Sequence, residues 1–358
     1  MSQPKSVLRL LCAAFVITLA RGAAAQTCPF NIPVKTLAPH SMNGYTWGSV
    51  IRPQGDACIT HVAVDPGQNS AWYAGGYYGL YMTKDHGQTW TKPLTGNLGT
   101  LLLVPQDAFH PHLVYAGIGN KLYLSTDKGT SWQLIKTFST TVRSLLFSEQ
   151  RLYIGLHWGN HVDPSGVYMA SWNAVSMSFY PFGPGHTGLI VWTISRDEVN
   201  NIIYAGTEIY DHPQPYKPTF FRSANGGGNW TNVNSGDAIP WHVIDSAVRP
   251  GDGYVYALTE GYGVYGSATM GSSWAPPTLS PGLGVSLLMD PQLPTRLYAG
   301  RHEYGTLNGG LYRSNDSGKT YTPIGLQDVT VGHVALNGTG SRIYAAAYGS
   351  GIYVAAVP

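Results

Sequence analysis

Apolar and polar residues alternate with a period of two in short runs that return along the whole chain. Ile59 to Val64, Val142 to Phe147, His242 to Val248 and His333 to Leu336 all read this way, and that period marks a half-buried strand. Several runs close on a turn pair, as at Asp65-Pro66, Arg249-Pro250 and Asp290-Pro291. A second apolar run follows, anchored by a tyrosine that often opens Tyr-Ala-Gly: Tyr73, Tyr115, Tyr153, Tyr204, Tyr256, Tyr298 and Tyr344. Next comes a shorter run, such as Gly79 to Met82 or Gly310 to Arg313, and then a polar turn.

That turn has its own spelling. It reads TKDHGQTW from Thr83, STDKGTSW from Ser125, SANGGGNW from Ser223, SATMGSSW from Ser267 and SNDSGKTY from Ser314. A carboxylate at Asp85, Asp127 or Asp316 can accept backbone N–H groups just downstream, and the glycine supplies a positive φ. Asn225 can still accept and Thr269 accepts weakly, so the turn is read as a structural staple, with the aromatic residue after it packing between units. The third unit has only SWNAVSMSFY from Ser171 to Tyr180 in its place.

Each unit predicts a four-stranded meander, with the anchor tyrosines spaced roughly 38 to 52 residues apart. One such sheet cannot bury both faces alone, and radial closure also removes its exposed edges. An open solenoid would need capping repeats, which the chain does not show. The predicted fold class is therefore all-β, a seven-bladed β-propeller of four-stranded antiparallel blades. Its last unit stops at Pro358 after a third strand, so the N-terminal arm, within Phe30 to Ile51, is expected to supply the fourth.

The turns and anchors together resemble the Asp-box propellers, also called bacterial neuraminidase repeats, over essentially the whole chain after residue 25. That resemblance implies the fold but does not choose a function, since sialidases, xyloglucan-cleaving hydrolases, the sortilin ectodomain and photosystem II assembly factors share it.

Composition narrows the setting. Only 11% of residues are charged, while Gly (44) and Tyr (24) are abundant, as in many secreted all-β proteins. Lys5 and Arg9 precede an apolar run from Leu10 to Ala20, and Ala23-Ala24-Ala25 reads as a cleavage site. The expected organisation is a signal peptide over 1–25 and a single domain over 26–358, secreted, extracellular or periplasmic. Loss of Lys5, Arg9 and Arg21 takes the formal charge from +2 to about −1, so no basic face suggests a nucleic-acid partner. No apolar stretch is long enough for a membrane span. Cys28 and Cys58 remain as an even pair suited to a disulfide from the arm to the first repeat, with two unpaired thiols the alternative.

Candidate chemistry lies where matching repeats stop matching. Four residues after the anchors stand Tyr77, Gly119, His157, Glu208, Glu260, His302 and Tyr348. Alignment of the innermost strands gives His61, Gln106, Ser144, Trp192, Asp245, Ser286 and His333. An enzymatic reading takes two of Glu208, Glu260, Glu303 and Asp245 as general acid and base across a sugar ring. Thr259-Glu260-Gly261-Tyr262-Gly263 loosely resembles the stretch that carries the catalytic Asp of the xyloglucan-cleaving relatives, with Glu in place of Asp. Those relatives use two propellers around a cleft, and a sialidase would need three clamping arginines and a Tyr-Glu pair that the chain does not match. A metal reading would draw on His157, His161, His212 or His302 with Asp163 or Asp211, but no fixed-spacing motif supports it, so neither metal nor cofactor is expected. A binding module would use Trp158, Trp192, Tyr210 and Tyr348 with His157 and His302 to stack on a carbohydrate or glycoconjugate. The competing expectation is a non-catalytic scaffold for a protein partner.

Overall fold

The computed structural model describes residues 28–29, 34–105, 112–157, 166–171, 178–181, 189–209, 217–234, 238–279, 282–302 and 309–358. The expected signal segment 1–25 lies outside them. No α-helix occurs among the described residues, and none is long and apolar enough to cross a membrane.

Antiparallel meanders follow one another along the chain. The first runs Ile59–Val64, Trp72–Gly76, Gly79–Thr83 and Thr91–Thr95. The second runs Leu98–Val104, Leu113–Ile118, Lys121–Ser125 and Gln133–Thr137. Thr141–Ser148 opens the third and Leu189–Asp197 the fourth, both again four-stranded. Val243–Val248 opens the fifth, whose second strand Val255–Gly261 overruns to pair Glu260 with Leu283 of the sixth. In the last sheet Thr330–Leu336, Arg342–Tyr348 and Gly351–Ala356 are joined by Tyr45–Trp47, through Trp47 opposite Ala355.

The core lies between facing sheets. Tyr73, Leu80 and Met82 of the first pack with Leu98, Val114 and Ala116 of the second; Ile59, Val62 and Trp72 pack with Tyr344 and Ile352 of the last. Consecutive innermost strands lie side by side, and Thr330–Leu336 lies against Ile59–Val64. The anchor tyrosines, at most 2% exposed, sit on the second strands, where burial of each ring contributes about 2 kcal/mol. They also meet the next unit: the Tyr153 hydroxyl donates to the Gly226 carbonyl at 3.2 Å, and that of Tyr256 to the Ser317 carbonyl at 3.1 Å.

The polar turns are built from their own side chains. Asp127 Oδ1 accepts the Ser131 N–H at 2.8 Å and the Ser125 hydroxyl at 2.8 Å, while Oδ2 accepts the Ser131 hydroxyl at 2.6 Å. Asp85 and Asp316 repeat this pattern, Asn225 Oδ1 accepts the Asn229 N–H, and Thr269 Oγ1 accepts that of Ser273. Hydroxyl and N–H donors hold the exposed carboxyls of Asp85 and Asp127 down to about 2. In a meander these turns lie at the end opposite the links between second and third strands, so they stand away from Glu208 and Glu260.

Cys28 and Cys58 form a disulfide with Cα atoms 5.2 Å apart. It ties the arm to the residue before the first innermost strand.

Candidate functional site

Every innermost strand breaks register once, at the same place. The unpaired residue is Thr60, Gly99, Arg143, Trp192, Ile244, Val285 and Gly332 in successive sheets. A bulge re-aims the side chain it carries. Trp192 is thus the bulged residue itself, one position away from the register of His61, Ser144, Asp245, Ser286 and His333. Thr100 holds that register in the second sheet and Thr193 in the fourth. Gln106 lies outside the described residues. The misalignment has a local cause: only two residues separate the first sheet's outer strand from Leu98, so the second innermost strand begins earlier than its closing turn suggests.

Trp192 is the hub of a cluster across three sheets. His157, at the end of Arg151–His157, meets its ring edge-on at 4.7 Å between centroids. His242 stacks on it at 5.4 Å and 12°. Its indole Nε1 donates to Glu208 Oε2 at 3.3 Å. Glu208, opposite Ile190, and Glu260 each stand four residues after the anchor tyrosine on neighbouring second strands. His242 Nε2 lies 2.7 Å from Glu260 Oε2, and its Nδ1 is 3.7 Å from Glu208 Oε1. One imidazole therefore fills the gap between two of the predicted carboxylates. Glu208 and His242 side chains are 4% and 3% exposed, Glu260 24%, so only Glu260 reaches solvent. Burial pushes the Glu208 carboxyl up, against the pull of His242 and the Trp192 N–H. Trp241 and Tyr262 extend the wall beside Glu260, Trp241 lying 5.3 Å from the His242 ring and 6.3 Å from that of Tyr262.

Asp245 stands apart from this cluster. Its oxygens accept the N–H groups of Leu287 at 2.7 Å and Ser246 at 2.8 Å, with the Thr193 hydroxyl at 3.3 Å. Burial raises this carboxyl to about 6 against those bonds. Such a group stitches the fourth, fifth and sixth innermost strands. Tyr348 is buried, its ring 5.8 Å from that of Tyr77 and its hydroxyl donating to the Pro29 carbonyl at 2.9 Å. It holds the arm beneath the disulfide. His302 follows Leu297–Arg301 of the sixth sheet, its N–H donating to the Leu283 carbonyl. Glu303, Trp158 and Tyr210 lie outside the described residues. Among the described residues no group of three His, Cys, Asp or Glu side chains is placed to hold a metal ion.

Three residues that complete the site carry no motif: His242, Trp241 and Arg143. Register alone distinguishes the first, because Cys58, Thr141, Ile190, Leu283 and Thr330 hold its place in other sheets.

No protein-family profile matches the chain, and no curated protein matches it in sequence. Solved structures do match in shape. YCF48 bound to a D1 peptide superposes with a TM-score of 0.61 at 14% identity, over 90% of this chain and 98% of that one. The fold is a β-propeller. The GH74 xyloglucanase of Xanthomonas campestris gives a TM-score of 0.61 at 17% identity over 86% of this chain, and the propeller spans only 53% of that enzyme. The extracellular domain of the one component system BT4673 of B. thetaiotaomicron gives 0.62 at 16% identity, with 86% of this chain and 40% of that one covered. At such identities the likeness carries the fold of the propeller and nothing of its chemistry.

Proposed function

We propose that the chain is a secreted, seven-bladed Asp-box propeller that binds a carbohydrate or glycoconjugate beside Glu260. Its domain spans 26–358, and the N-terminal arm closes the ring by supplying the outer strands of the last blade. The disulfide supports an oxidising compartment, and the contact of the last innermost strand with the first supports closure. The observation that carries the binding reading is the aromatic pair Trp241 and Tyr262 beside one partly exposed carboxylate, Glu260, which His242 holds. Flat apolar faces with a few fixed polar groups are what a sugar ring needs for capture. Hydrolysis is the weaker reading. An inverting pair leaves room between its carboxyls for water and sugar, about 6.5 to 9.5 Å, and here His242 occupies that space.

The test is a glycan array and a chromogenic glycoside panel on the mature protein. Binding without turnover is expected, weakened about tenfold or more by Trp241→Ala or Tyr262→Ala at unchanged circular dichroism. Turnover abolished by Glu260→Gln would instead establish the hydrolase. The scaffold reading draws on one observation, that the chain covers 98% of peptide-bound YCF48; peptide capture with no glycan bound would establish it.

A further inference from the structure

The bulge position carries one charge. Around the innermost strands it presents Thr60, Gly99, Trp192, Ile244, Val285 and Gly332, and, in the third sheet, Arg143. The Arg143 guanidinium lies over the Trp192 ring, 5.5 Å from its centroid. Among the described residues it makes no hydrogen bond and no ion pair. Burial lowers its proton affinity, offset by Tyr77 and Asp245, yet Asp245 spends its oxygens on Leu287, Ser246 and Thr193. The guanidinium is also close enough to His61 and His157 to help keep both imidazoles neutral. His333 faces His61 at 5.4 Å and leaves a buried Nδ1 without a partner.

Asp245, the carboxylate nearby, is already held by three donors, so this partly buried guanidinium lacks a hydrogen-bonded anion among the described residues, and folds rarely keep a shielded cation without one. A guanidinium held over an indole can still offer its in-plane N–H fork to a planar anion. We propose that Arg143 is an anion subsite at the axis of the propeller, taking the carboxylate of an acidic saccharide whose neighbouring ring meets the Trp192 side of the site. This deepens the glycan reading and rests on it for the identity of the ligand. Neutral imidazoles at His61 and His157 bring no rival negative charge to that carboxylate.

The test is isothermal titration in phosphate-free buffer at low salt. The ligands are a glucuronic-acid-bearing oligosaccharide, its neutral glucose counterpart, free glucuronate and inorganic phosphate. The acidic oligosaccharide is expected to bind the wild type at least about tenfold more tightly than the neutral one, the scale of one charge-assisted bidentate contact. Arg143→Gln should remove that preference, read as the ratio of acidic to neutral affinity in the same variant. Arg143→Lys, which keeps the charge but loses the fork, should retain only part of it. Thermal melts check that Arg143→Gln stays folded. Equal affinity for acidic and neutral sugars in the wild type, or a preference untouched by Arg143→Gln, overturns the inference and leaves glycan binding standing. Glucuronate binding that depends on Arg143, with neither oligosaccharide bound, supports the anion subsite and sinks the glycan reading. Tighter binding of phosphate than of glucuronate overturns the carboxylate assignment.

Discussion

His157 is the residue at which site and stability meet. Burial, with Arg143 and His242 nearby, lowers its imidazole to about 3, far below the usual 6.5. A folded state that refuses a proton which the unfolded chain accepts is most stable at high pH. Its advantage therefore shrinks as pH falls from about 6.5 towards 3, by at most about 1.4 kcal/mol per pH unit and by less where solvent screens it. Asp245 and Glu208 are shifted upward and act in the opposite direction, so the variant difference is the useful readout. His157→Phe should gain on wild type progressively as urea denaturation is moved from pH 7 to pH 5, above a constant offset from altered packing on Trp192. A pH-independent difference would show that His157 is protonated alike in both states. Glu208 and Glu260 were legible in the sequence because each breaks a repeat at a fixed distance from its tyrosine. Arg143 and His242 were not, because nothing local announces which residue of an alternating strand a bulge will turn out of register.

At the scale of the element, the polar turn couples one sheet to the sheet before it. Gly129 has φ +78°, and a Cβ there would lie 2.8 Å from Cε1 of Tyr73, the anchor of the preceding sheet. Gly318 stands in the same relation to Tyr256. Gly129→Ala should thus cost about 2 kcal/mol or more, from a strained backbone plus a clash with a ring that is itself packed. Part of that loss should return in Gly129→Ala with Tyr73→Leu, since the two positions share a contact; purely additive losses in chemical denaturation would place the cost in the backbone and in Met82, whose Sδ a Cβ there also meets at 2.8 Å. Turn and tyrosine were both readable from sequence because each depends on short-range chemistry, a carboxylate and its own downstream donors, or one large ring per strand. Their mutual contact was not readable, since it lies between units.

Across the whole molecule, strands come from local alternation but their neighbours come from packing. The sequence indicated that an arm segment within Phe30 to Ile51 would join the last sheet, and the pairing residue is Trp47. Its indole is fully buried and donates to the Ile324 carbonyl at 2.6 Å, joining the arm to the sixth sheet as well as the last. Trp47→Ala should remove about 3–5 kcal/mol, a large part of the stability of a whole domain. A loss within about 0.5 kcal/mol, the range of an ordinary surface change, would show that the arm is dispensable. Trp47 and Ala355 lie about as far apart along the chain as any pair here, so their meeting carries a large loop-closure cost, and that step is expected late in folding. Until it happens, the edge of the strand Gly351–Ala356 is a free template for any other extended chain, including the arm of a second copy. Raising the concentration during refolding is therefore expected to increase the share of molecules that exchange arms with a second copy, read by size-exclusion chromatography.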